Sequence, residues 1–157
     1  MAHQVVEVPG LKPPKDLYES DYYTWALGQA RALRAHSTEA LDWENLAEEV
    51  EGLARTEARE LESRLEVLLV HLLKWRYQPK KRSRSWTLTI REQRQRVARV
   101  VTQNPGLKRM LTESVTAAYA LARLVAARET RLAERTFRPT SPWSFEHITD
   151  AEFWPNS

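Results

Sequence analysis

The stretch of the chain richest in leucine is residues 61–78, LESRLEVLLVHLLKWRYQ. Leu61, Leu65, Leu68, Leu72 and Trp75 recur at steps of three and four, which places them in one stripe on a helix. Leu69 and Leu73 widen the stripe, and a helix this apolar needs neighbours to cover it. The pattern predicts a central helix wrapped by other helices.

Periodicity supplies those neighbours. Ser20 or Asp21 can cap a first helix running to about Ala35, with Tyr22, Trp25, Ala26, Gln29, Ala32 and Leu33 on one side. Gly28 inside it costs on the order of 1 kcal/mol relative to Ala, a choice that close approach of a neighbouring helix would explain. Asp42 caps the long second helix, where Leu46, Val50 and Leu53 continue the stripe toward Leu61. Pro79 ends that helix. Ser83 or Ser85 caps a third, with Trp86, Ile90, Val97 and Val101 as its core face and Arg94 among them, partly buried and paired. Asn104-Pro105 opens a fourth, to about Thr130, with Leu107, Leu111, Ser114, Ala118, Leu121, Val125 and Glu129 inward. Residues 131–141 read as a polar link. The tail holds Trp143, Phe145, Ile148, Phe153 and Trp154, too aromatic for a disordered end. It is expected to form short helical turns across the bundle.

At 157 residues the chain suits one domain. Residues 1–16, with Pro9, Gly10, Pro13 and Pro14, read as a flexible arm, and 17–154 as a single helical domain. The absence of cysteine removes disulfides, thiolate metal sites and cysteine nucleophiles. No signal-peptide pattern precedes the domain, and no apolar run approaches the roughly 18 residues of a membrane span. A cytoplasmic protein without a membrane partner is expected.

Charge changes the picture more. Residues 38–66 carry ten acids and three bases, and residues 74–109 carry twelve bases and one acid. Either the basic segment meets an external polyanion, or the two segments meet each other.

Five blocks resemble the successive signatures of the bacterial "domain of unknown function 29" family. They are LYESDYYTWALGQARALR (17–34), LDWENLAEEVEGL (41–53), LESRLEVLLVHLLKWRYQP (61–79), RSRSWTLTIREQR (82–94) and NPGLKRML (104–111). The closing SPW…DAEFWP is similar as well. Gly106 stands where the family more often has Ser. The resemblance implies a compact all-helical bacterial protein and carries over no activity and no catalytic residue.

Four constellations bear on chemistry. Glu57, Arg64, His71 and Gln78 sit seven residues apart, on nearly one line of the second helix. The line is either an open polar groove or a row of hydrogen-bonded residues beside the core, and the second is the commoner outcome. The stretch KWRYQPKKRSR-W interleaves Lys74, Lys80, Lys81, Arg82 and Arg84 with Trp75, Tyr77 and Trp86, the ingredients of a nucleic-acid surface that Arg91, Arg94, Arg96 and Arg99 extend. The alternative is that the tryptophans belong to the core and the basic loop caps a helix end. An enzyme would use His71 with Lys74, Glu48 or Glu49, and Arg91, but no catalytic or phosphate-loop motif accompanies them. Glu44, Glu48 and Glu51 share a helix face, which more often is simply solvated than a metal site.

The reading is therefore an all-α bundle of four main helices with a short helical C-terminal cover, no cofactor and no metal. Its expected role is a noncatalytic binding module whose partner is another protein or a nucleic acid. The alternatives are nucleic-acid binding through 74–99 and an enzyme centred on His71. The candidate binding residues are His71, Lys74, Arg91, Arg94, Lys80, Lys81, Arg82 and Arg84. The exposed-looking aromatics Tyr22, Tyr23, Trp43, Trp143, Phe153 and Trp154 are candidates for protein contact.

Overall fold

Leu65, Leu68 and Leu72 are fully buried in the computed structural model, so the leucine-rich helix occupies the core that its pattern requires. The structure describes residues 14–156, with side chains from Leu17 onward. The helices are α1 (Pro14–Ser20), α2 (Tyr22–Arg34), α3 (Trp43–Tyr77), α4 (Arg84–Gln103), α5 (Leu111–Thr130) and α6 (Phe145–Thr149). Among the described residues there is no strand. Residues 14–16, expected in the arm, belong to α1; the arm's first 13 residues lie outside the described part.

The chain forms two compact units, Met1–Ala54 and Arg55–Ser157. In the first, α2 is capped by Asp21, whose Oδ1 accepts from the Thr24 N–H at 3.0 Å. The hydrogen bond to Thr24 holds that carboxyl below its usual range. Asp42 is the hub. Its Oδ2 accepts from Trp25 Nε1 and from Asn45 Nδ2, and its own N–H donates to Gln29 Oε1 at 2.7 Å. Trp25, Gln29, Ala32 and Asp42 are buried. Glu49 accepts from the hydroxyls of Tyr18 and Tyr22 at 2.7 and 2.8 Å. The hydrogen bond to that carboxylate, first among the causes, pushes the Tyr18 phenol up to about 12. Gly28 departs from expectation: a Cβ there meets nothing within 4 Å, so close helix packing is not its reason.

In the second unit, Leu61, Leu65, Leu68, Leu69, Leu72 and Leu73 share one buried cluster with Ile90, Val97, Ala122, Ala126, Phe137 and Ile148. Ser83 caps α4 by accepting from the Trp86 N–H at 3.2 Å. Asn104 does not cap the next helix. Its amide donates to Glu57 and to the Val100 carbonyl, and residues Pro105–Met110 form a 3-10 turn before α5. The face of α5 is rotated from expectation. Ser114, Ala118, Ala122, Ala126 and Thr130 are buried at steps of four with Val115 and Tyr119, while Leu121 and Leu124 are exposed. Small residues on the inner face leave room for large side chains arriving from elsewhere.

The link at 131–141 is pinned rather than free. Phe137 is buried, Tyr119 donates to the Arg138 carbonyl, and Arg123 pairs with Glu134 at 3.0 Å. The tail follows, with Ser144 capping α6 and the Trp154 ring packed on Trp75 at 4.7 Å between centroids, tilted by 48°.

Candidate functional site

The line Glu57–Arg64–His71–Gln78 is hydrogen-bonded along its length. Glu57 accepts from Asn104, Arg64 donates to Glu60 at 2.7 Å, and Gln78 donates to the Thr130 carbonyl. His71 Nδ1 sits 2.8 Å from the Val67 carbonyl. A carbonyl only accepts, so the proton is on Nδ1. Burial is the main cause that lowers the His71 pKa from its usual value, opposed by the bond to Val67. The row lies beside the core as a paired edge.

The basic-aromatic stretch divides in two. Lys74, Arg82 and Arg94 are engaged internally. Lys74 Nζ is 2.6 Å from Glu129 Oε2 and lies over the Trp86 ring. Arg82 donates from Nε to the Trp75 carbonyl, with its guanidinium 4.8 Å from the centroid of that tryptophan. Arg94 is 6% exposed and donates to three tail carbonyls, those of Ile148, Ala151 and Phe153, at 2.9, 3.3 and 2.6 Å. Burial works against its charge and the nearby Asp150 carboxylate favours it. Trp75 and Tyr77 pack on Trp154 and Phe137, so these rings are core material. Lys80, Lys81, Arg84 and Arg91 remain exposed.

Arg91 opens onto a cleft of about 450 Å³, with Thr87, Arg94, Gln95, Glu152 and Trp154 among its walls. The cleft brings Arg91 and Arg94 together, although their tasks are opposite: one faces the opening, the other ties down the tail. A second cavity, about 290 Å³, is floored by Val115, Tyr119, Trp143 and Phe145 and rimmed by Thr and Ser hydroxyls. No motif in the sequence announces it, because its walls come from α5 and from the link and tail some 25 residues later in the chain. Arg96 and Arg99 line a smaller cavity with Glu57 and Glu60, so acidic α3 and basic α4 residues do meet there.

The aromatics separate likewise. Trp143 is buried and Phe153 and Trp154 are half-buried, whereas Tyr23 and Trp43 are 74% and 61% exposed. On α3, Trp43, Leu46, Val50 and Leu53 follow one another at steps of three, four and three. Val50 and Leu53 are 64% and 70% exposed, whereas Asp42 holds α2 through Trp25 and Gln29 and Glu49 holds α1 and α2 through Tyr18 and Tyr22. Periodicity alone puts Val50 and Leu53 in the core; Trp25 is buried in the first unit instead, with Tyr18 part-buried beside it and Tyr22 49% exposed.

Among the described residues no group of three His, Asp or Glu side chains is placed to hold a metal ion, and no helix is long and apolar enough to cross a membrane. The fold is thus an all-helical one in which the polar residues of the central helix serve its packing. The chain belongs to the family described as Domain of unknown function DUF29, whose model matches residues 17–154. No curated protein and no solved structure matches it.

Proposed function

We propose that this is a noncatalytic binding protein whose partner is another protein, docked on the first unit. The observation that carries the reading is the line Trp43, Leu46, Val50 and Leu53, exposed at three of its positions and half-buried at Leu46. Steps of three, four and three are the spacing of a helix–helix seam, and single exposed apolar residues need no explanation whereas an aligned set does. Residues 1–54 hold four bases and ten acids, a net of −6. The fitting occupant is therefore an amphipathic helix with basic flanks. The enzyme reading has less to support it, since His71 is half-buried and bonded to its own helix.

Replacing Val50 and Leu53 by Glu should leave the helical content unchanged, because both side chains face water. A pull-down from the native host's lysate should enrich a protein carrying such a helix with the parent chain and lose it with the double variant. Identical capture by both proteins, or no specific capture by either, would count against the seam.

A further inference from the structure

We infer that the outward face of α4, with the turn leading into it, tracks the phosphate backbone of double-stranded nucleic acid. This inference is independent of the seam on the first unit. Residues 55–157 carry twenty bases against eleven acids, a net of +9. Lys80 and Lys81 stand in the Pro79–Lys81 turn. Arg84 and Arg91 follow seven residues apart on one side of α4, about 10 Å along its axis, the rise of roughly three base pairs. All four are exposed, and among the described residues none has an ion-pair partner. The same side carries Leu88 and Gln95. Glu92, the one acid of residues 74–109, lies off this side and is held by Arg96 at 2.8 Å. Arg96 and Arg99 are set apart by Glu57 and Glu60. Glu152 shares the Arg91 cleft.

The aromatic rings decide between double and single strands. Single strands are held by cations together with free aromatic faces on which bases stack. Here Trp75 is covered by Trp154 and Arg82, Tyr77 packs on Phe137, and Lys74 lies over Trp86. What remains is a set of four exposed cations, two in the turn and two on one side of α4, which meets phosphates without reading sequence.

The test is fluorescence anisotropy with a short labelled DNA duplex, one of its strands alone, and phosphatidylserine vesicles as competitor. Four neutralised phosphates give a slope of log K against log salt of about −3.6, or roughly a 150-fold loss between about 50 and 200 mM salt. The variant K80A/K81A/R84A/R91A should keep its circular dichroism melt and lose at least about tenfold in affinity, with a flatter slope. Should that variant not fold, Lys80→Ala and Arg91→Ala singly should each weaken binding and reduce the slope by about one. No duplex binding at low salt, tighter binding to the single strand or to the vesicles, or undiminished binding by the folded variants would overturn the inference.

Discussion

Three residues show how local context sets the worth of a side chain. His71 has its pKa lowered from 6.5, mainly by burial. A base with a lowered folded value binds fewer protons folded than unfolded, so stability falls as pH drops through about 6.5 and continues to fall until the folded value is passed. Chemical denaturation across that range should show the slope, and His71→Gln should flatten it. Gly28 sits mid-helix, where an added methyl group would meet nothing within 4 Å, so Gly28→Ala should stabilise by about 1 kcal/mol in urea titrations. Arg94 donates to three carbonyls. Arg94→Ala leaves those acceptors without a partner and should destabilise by about 3 kcal/mol or more. Arg94→Lys should restore only part of this, since an ammonium lacks the planar fork.

At the scale of the element, α3 is one helix with two different surfaces. Its later leucines are fully buried, while Val50 and Leu53 earlier in the helix are exposed. Leu68→Ala should cost about 2–5 kcal/mol. Leu53→Ala should change stability by less than about 0.5 kcal/mol. A pair of equilibrium melts checks both, and equal losses would contradict the difference in burial. The main helices, the caps at Asp21, Asp42 and Ser83, and the core stripe from Leu61 to Leu73 were legible in the sequence, because they follow from neighbours within a few residues. The inner face of α5 was not. Leu121, Val125 and Glu129 continue the expected side, but the helix buries Ala122, Ala126 and Thr130 instead, where small side chains leave room for larger groups from other segments. Likewise Asn104 carries a capping signature, yet its amide is drawn to Glu57, 47 residues away in the chain.

At the scale of the whole molecule, the small net charge of +3 conceals a division into −6 for residues 1–54 and +9 for residues 55–157. A chain with evenly spread charge of this sign binds only a cation exchanger near neutral pH. This one should be retained at low salt on both cation and anion exchangers, and retention on a single type would show that the two halves mask each other.

Of the candidate site, the identities of the cations and the aromatics could be read from the chain, but their availability could not. Composition and periodicity determined that the protein is helical, that a leucine-rich helix lies in its core, and that acid and base are segregated. Those properties depend on residue type and short spacing. Only the tertiary structure decided that Arg94 holds the tail while Arg91 faces a cleft, and that Trp75 is packed while Trp43 is open. Burial and pairing are set by which distant segment arrives at a given side chain, and spacing along one helix does not contain that information.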